Sequence, residues 1–297
     1  MELRQLMYFY RTAQKLSFSD AARSMYVTQS TLSQQIKQLE DELGCQLFKR
    51  DSHKVVLTEC GERLLPLAKT TLLDADLCKT QISDVNRLMT GVVNIGITHS
   101  FSNIFTYTMR EFLSTYKGVK LNVIYTDSDT LLHMLRKRDI DFALAYRSEI
   151  PYDDVESYKL FEDSLNVVVR KEHPLAKKKS LTLADLKEQP LALPTKVVQC
   201  RKRLDKAIEK EKAKLLVRVE LNDVTFLVKL VESSCMATIL PLGAINHVDT
   251  LTAIPLEIDD TAMYGCLHVL KDVYKKKSTE TFIEMLRNSP VVRLLQE

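Results

Sequence analysis

Up to about residue 90 the apolar positions of this chain recur every three or four residues; beyond Val92 they come in short runs separated by polar loops. The first regime predicts helices and the second predicts alternating strands and helices. Leu3, Leu6, Tyr10 and Ala13 define a first helix over residues 3–16. In "SFSDAARSM", Ser17 and Asp20 have capping-box spacing ahead of the small core residues Ala21, Ala22 and Met25. After the short link "YVT", Thr28 is placed to cap a third helix whose apolar stripe is Leu32, Ile36, Leu39 and Leu43. Three helices with so tight a link between the second and third predict a helix-turn-helix.

The period changes in "CQLFKRDSHKVVLT", where Val55 and Leu57 alternate behind the polar turn Asp51-Ser52-His53, as in a small β-wing. Leu65, Ala68, Leu72, Ala75, Cys78, Ile82, Val85 and Met89 then step by three or four. A stripe that long predicts a helix that pairs with another helix, bent early by Pro66 and ended by Gly91. From Val92, "VVNIGIT", "VKLNVIYT" and "DFALAY" read as strands alternating with helices near Phe105–Tyr116 and in "DSDTLLHMLRKRD". Such an order predicts parallel α/β architecture. A second lobe holds the helices "CRKRLDKAIEKEKAKL" and "DVTFLVKLVESS" with the strands "MATILP" and "LTAIPL". "YGCLHVLKD" is expected to return to the first sheet. The resulting division is 1–60, 61–90 and 91–297.

Bulk composition adds limits rather than direction. A chain of 297 residues accommodates two or so domains, and 45% hydrophobic with 27% charged residues is ordinary for a globular protein. No apolar run approaches the ~18 residues of a membrane span. The N-terminus "MELRQLMYFYRTAQK" has no signal-peptide pattern, so a cytoplasmic protein is expected. The six cysteines form no CxxC pair, which favours reduced thiols over a zinc site or disulfide framework. The net charge of +3 neither demands nor excludes nucleic acid.

Chemistry enters at the third helix, whose leading half carries hydroxyls, amides and one lysine but no acid. Ser30, Ser33, Gln34 and Lys37 lie opposite the apolar stripe, with Gln29 and Thr31 flanking them. Groups that both donate and accept suit base edges, whereas lysine and arginine suit phosphates. Double-stranded DNA is the partner this combination fits. A solvated polar face is the bland alternative, and residues 1–60 carry only 8 Lys+Arg against 7 Asp+Glu, so basicity adds nothing.

Over "FYRTAQKLSFSDAARSMYVTQSTLSQQIKQLEDELGCQLFKRDSHKVVLTECG" the chain resembles the LysR-type transcriptional regulators. The Ser-Phe-Ser-x-Ala-Ala block, the Thr-Gln-Ser-x-x-Ser helix start, the Leu-Glu-x-x-Leu-Gly close and the Leu-Phe-x-Arg wing carry the resemblance. It implies a winged helix-turn-helix on a linker helix that dimerises antiparallel with its twin. A two-lobed α/β effector domain like that of periplasmic binding proteins would follow. Gln29, Ser30, Ser33 and Gln34 would then meet base edges, with Thr31, Lys37, Arg50 and His53 as helpers at the backbone or groove edge. Two departures stand out. Gln34 occupies a position where the family usually has arginine, a change that either loses a phosphate or guanine contact or shifts base preference towards adenine. Ser234-Cys235-Met236-Ala237 replaces the usual Gly-x-Gly. The partners implied are an interrupted-dyad operator, a small effector, a second copy or more of the chain in a homodimer or homotetramer, and RNA polymerase.

In open α/β sheets ligands collect beyond the carboxyl ends of strands. Thr98, Ser100 and Ser102, then Thr126 and Ser128, then Cys200 and Arg201, then Thr225 fall in four such segments. Their hydroxyls favour a small carboxylate, unless they are merely helix caps; Asp127 and Asp129 argue against a simple anion unless the ligand also carries an amine. A redox sensor is the alternative, because Arg201, Lys202 and Arg203 beside Cys200 would lower its pKa. The next cysteine is only at Cys235, however, so the two-cysteine pattern of the family's oxidant sensors is incomplete. An enzyme is the other class to weigh. No GxSxG, HExxH, P-loop or GxGxxG occurs, and neither a cofactor nor a metal is expected.

Overall fold

A computed structural model describes residues 1–51, 54–85, 90–148, 151–245, 248–259 and 262–296, without the side chains of Arg50, Asp51, Lys54 and 83–85. His53 and Met89 lie outside the described residues. The chain divides into two compact units, Met1–Leu88 and Met89–Glu297.

The first unit opens with α1 (Leu3–Lys15), α2 (Phe18–Ser24) and α3 (Gln29–Leu43). Ser17 Oγ accepts from the Asp20 amide at 3.2 Å, and Thr28 Oγ1 accepts from the Thr31 amide at 3.2 Å, so both helices start where their caps predict. Leu32, Ile36 and Leu39 are fully buried, each stabilising the unit by about 1.5–3 kcal/mol. The stripe stops there. Gly44 closes α3 in the left-handed region at φ 68°, leaving Leu43 exposed while Leu47 and Phe48 enter the core. On α1 the inward face is Leu6, Tyr8, Phe9 and Ala13 rather than one beginning at Leu3, which is exposed. The aromatic rings set that rotation. Phe9 and Phe18 pack on Phe48 at 5.5 and 5.4 Å between centroids, joining α1, α2 and the wing.

The wing is an antiparallel hairpin of β1 (Phe48–Asp51) and β2 (Lys54–Leu57), with Phe48 opposite Leu57 and Arg50 opposite Val55. Behind it, α4 (Glu59–Val85) runs for 27 residues with Pro66 inside it. Leu64, Leu65, Ala68 and Leu72 pack on the helical core. Further along, Cys78 and Ile82 are exposed, Ile82 by 66%.

The second unit contains β3 (Gly91–Ile97), α5 (Ser102–Thr115), β4 (Val119–Tyr125), α6 (Ser128–Arg136), β5 (Phe142–Tyr146), β6 (Val155–Asp163) and β7 (Leu165–Arg170). It continues with β8 (Pro190–Pro194), α7 (Gln199–Glu211), β9 (Leu216–Leu221), α8 (Val224–Glu232), β10 (Thr238–Pro241) and β11 (Leu251–Pro255). β12 (Met263–Leu270), α9 (Lys277–Arg287) and α10 (Pro290–Leu294) complete it. One lobe is built on the sheet β4-β3-β5-β12-β6, the other on β10-β7-β11 and β8-β9, with a parallel bridge from Leu191 to Ala237 between them. β3 is parallel to both neighbours, and β12 returns antiparallel between β5 and β6. β5 is buried at every position, as a strand covered on both faces must be. The chain crosses between lobes at Ser164 and again between β11 and β12. β6, β9, α9 and α10 are not evident in the hydrophobic pattern: β6 carries charged residues on its half-exposed positions, and β9 is an exposed edge strand.

Candidate functional site

The candidate residues fall on two surfaces, one in each unit. On α3, Gln29, Ser30, Thr31, Gln34 and Lys37 are exposed and Ser33 is half-buried. Burial of Leu32, Ile36 and Leu39 on the opposite side fixes which face looks outward. Gln29 Oε1 accepts from Ser19 Oγ at 2.8 Å, so α2 orients the first of these amides. Thr28 Oγ1 lies 2.9 Å from Ser30 Oγ and 2.8 Å from Thr31 Oγ1, tying two of the hydroxyls to the cap. Arg50 contributes its strand position in the wing; its side chain and all of His53 lie outside the described residues. Sequence reasoning passed over Tyr26, which is 98% exposed with φ 56° in the turn before α3. A bulky residue held in the left-handed region and fully in solvent is a signal only coordinates reveal.

In the second unit a cleft of about 300 Å³ lies between the lobes. Each segment that lines it leaves the carboxyl end of a strand: Thr98, His99 and Ser100 after β3, Thr126 to Ser128 after β4, Tyr146 on β5, Val197 to Cys200 after β8, Asn222 to Val224 after β9. Parallel strands in both lobes point their ends at the same gap, which is why hydroxyls far apart in sequence converge. Thr98, Ser100, Thr126, Ser128 and Cys200 therefore line the cleft. Three other expected residues do not. Ser102 turns its hydroxyl back to the His99 carbonyl at 2.6 Å. Thr225 is exposed, with Oγ1 3.3 Å from His99 Nδ1. Arg201 is buried and turned away, donating to Asp205 at 2.7 Å and to the Pro194 carbonyl at 2.8 Å while paired with Glu220.

The helix starts around the cleft are unequal. Asp127 caps α6 through the Thr130 amide at 3.0 Å, a role expected of Ser128, which is instead buried behind it. Asp223 caps α8 through the Phe226 amide at 3.0 Å. Burial alone would raise the Asp127 pKa, but hydrogen bonds from Thr130 and Thr126 hold it below the usual carboxylate range, so it is ionised. At α7 the N-cap position is Val198, which supplies no side-chain cap. The hydroxyls of Thr98 and Thr195 are likewise buried without a hydrogen-bond partner.

Contacts across the cleft involve residues the sequence did not single out. His99 Nε2 donates to the Ala244 carbonyl at 3.1 Å, which leaves Nδ1 to accept from the adjacent Tyr125 hydroxyl. Burial raises the Tyr125 pKa and keeps that phenol a donor. On the other flank Lys202 pairs with Asp129, and Gln199 donates to the same carboxylate at 3.2 Å. At the lobe crossing Asp163 accepts from the Tyr146 hydroxyl at 2.9 Å and from the amides of Leu242 and Gly243, each at 3.0 Å. Cys200 meets the opposite of the environment its basic neighbours imply. Burial pushes its thiol up to about 12, outweighing the Arg201 amide and charge, which act in the opposite direction.

Residues 3–62 match the model of the bacterial regulatory helix-turn-helix protein, lysR family, and residues 86–290 match the LysR substrate binding domain. The HTH-type transcriptional regulator YtlI of Bacillus subtilis is 30% identical over 223 residues, covering 75% of this chain and 72% of YtlI. Full-length OxyR from Pseudomonas aeruginosa shares the fold with a TM-score of 0.75 at 22% identity, covering 99% of this chain and 97% of that one. Full-length CbnR complexed with its target DNA does so with a TM-score of 0.68 at 18% identity, covering 97% of this chain and 99% of that one. With a family-matched DNA-binding unit, a family-matched effector unit and the fold shared across nearly the whole length, this chain belongs to the LysR family of DNA-binding transcriptional regulators.

Proposed function

We propose that this protein is a one-component regulator, not an enzyme, which acts in the cytoplasm as a homodimer or higher homo-oligomer on an interrupted-dyad operator. In this reading Gln29, Ser30, Ser33 and Gln34 meet base edges, and Thr31 and Lys37, with Arg50 and His53 from the wing, steady the backbone or groove edge. The exposed run of amides and hydroxyls on α3 supports this assignment, as does the seating of CbnR on its target DNA. Gln34→Ala should cost about 1–3 kcal/mol at one base position and relax preference there. Lys37→Ala should weaken all sequences alike and lower the salt slope by about one. Selection from a randomised operator reads both; an unchanged preference after Gln34→Ala would remove glutamine from base reading.

The effector in this reading is a small carboxylate that also carries an amine. The unpartnered Thr98 hydroxyl carries the proposal: a buried donor without an acceptor is costly, and a ligand oxygen in the cleft would meet it. Ser100 and the uncapped start of α7 offer further donors on the same side, whereas ionised Asp127 and the cap Asp223 suit a cationic group opposite. Arg201 and Ser102 have no part in it, being committed elsewhere. Closing the lobes on the ligand then biases the arrangement of the DNA-binding units through its different affinity for the two states. Ser100→Ala should abolish the effector-dependent change in operator affinity while ligand-free affinity stays near wild type. Calorimetric titration of amino acids against simple carboxylates separates the ligand classes; preference for the simple carboxylates would reject the amine.

A further inference from the structure

We propose that Cys45 and Cys60, carried on the two segments that meet where the wing runs into α4, form a reversible intramolecular disulfide on exposure to a hydroperoxide. Both are free thiols, Cys60 exposed and Cys45 half-buried. The hairpin pairs Phe48 with Leu57 and Lys49 with Val56. The Thr58 amide donates to the Leu47 carbonyl at 3.0 Å, which carries the ladder one step beyond the last paired strand residues. Beyond that step the chain turns into α4, whose first turn carries Cys60 next to Gly61, while Cys45 lies two residues before Leu47.

Two contacts hold the segments together past the end of the ladder. Thr58 Oγ1 donates to the Gln46 carbonyl at 2.6 Å. Gly61 lies so close to the preceding segment that a Cβ there would come within 2.2 Å of the Leu47 oxygen. The neighbouring Cys60 thiol, through a hydrogen bond first, raises the Cys45 pKa, which leaves the exposed Cys60 as the group that reacts first. Cys200 and Cys266, by contrast, are buried. The redox chemistry that the sequence points to at Cys200 thus has its geometry in the DNA-binding unit.

The bond assembles in two steps. The exposed Cys60 thiolate attacks a peroxide oxygen, forming a sulfenic acid and releasing an alcohol or water. The Cys45 thiolate then attacks the sulfenic sulfur and expels hydroxide, which leaves as water with the thiol proton. Two thiols are oxidised and one hydroperoxide is reduced; a dithiol reductant restores both thiols by exchange. Because disulfides in reducing compartments are usually transient or sensing, a pair able to close and reopen is the form expected there. Once closed, the bond ties the turn after α3, already anchored by Glu40 to the amides of Leu47 and Phe48, to the first turn of α4.

The test treats the full chain with hydrogen peroxide, blocks remaining thiols with iodoacetamide and maps the tryptic peptides without reduction. The expected result is a Cys45–Cys60 linked peptide that disappears with dithiothreitol, and a fall of about tenfold or more in alkylation of both residues together. Cys45→Ser should leave Cys60 oxidised beyond the sulfenic state or blocked by a small thiol; Cys78→Ser and Cys235→Ser should leave the linked peptide intact. Independent alkylation of Cys45 and Cys60 after peroxide, or linkage of either to another cysteine instead, would overturn the proposal. Since the readout is covalent and needs neither operator nor effector, failure here leaves the proposed regulatory function standing.

Discussion

Asp163→Ala should lower the stability of the effector domain by about 2–4 kcal/mol, read as the shift of its transition in urea denaturation of the full chain. The carboxylate sits where β6 hands over to β7, the first of the two crossings between lobes. One oxygen accepts from the Leu242 amide and the other from the Gly243 amide, each at 3.0 Å. The Tyr146 hydroxyl adds a third bond at 2.9 Å and the Ser164 amide a fourth at 2.8 Å. Alanine strands four donors at once, of which the Tyr146 phenol is the most deeply buried. Its proton is secured by burial first and by the adjacent Asp163 charge second, both of which raise its pKa. Asp163→Asn keeps the shape and one acceptor but turns an amide NH₂ towards backbone N–H groups, so it should fall between wild type and alanine. The consequence is larger for sensing than for stability. Leu240, Pro241 and Ala244 belong to the cleft wall, and loosening the turn beside them should weaken effector binding in step with the denaturation midpoint. A loss under about 0.5 kcal/mol would mean that water replaces the carboxylate at this crossing.

How far such a residue is visible in sequence depends on the range of the interactions that define it. The core stripe of α3 and the caps Ser17 and Thr28 are set by neighbours within four residues, so spacing reveals them. Convergence of Thr98, Ser100, Thr126 and Ser128 is legible for a similar reason: parallel strands with helical crossovers bring their carboxyl ends to one edge. Asp163 is not legible, because its partners lie about 80 residues away in a turn whose amides any sequence supplies. His99 is in the same position. Its contacts with Ala244 and Thr225 exist only once two lobes meet. Arg201 was misread for a local reason. Successive helical residues diverge by about 100°, so when Cys200 faces the cleft its neighbour faces β8 and β9. Adjacency in sequence put three cations beside a thiol; the helix separated the nearest from it.

Leu72→Asp should convert the protein to monomers and lower its affinity for a dyad operator by roughly 10²–10⁴, since a monomer loses the second, intramolecular contact. α4 leaves part of its apolar surface uncovered. Its apolar positions continue well past the helical core, and Ile82 remains 66% exposed. Beside it α1 turns Leu3 and Met7 outward, exposed by 51% and 40%. Together α1 and α4 flank a groove of about 590 Å³ in which Leu3, Met7, Leu72 and Leu73 supply the apolar lining and Arg4, Arg11 and Asp76 the rim. A helix with such a stripe needs a partner, and the same helix from a second copy, running antiparallel, presents the same residues to it. Leu72 also touches the core of its own unit, so aspartate there has two ways to act. Ile82→Asp separates them: an exposed residue costs the monomer little, while a charge buried in the helix pair costs several kcal/mol. If both variants sediment as monomers and bind one half-site weakly, dimerisation runs through α4. If Ile82→Asp remains dimeric with full operator affinity while Leu72→Asp merely unfolds, the pairing surface lies elsewhere and the stripe on α4 needs a different occupant.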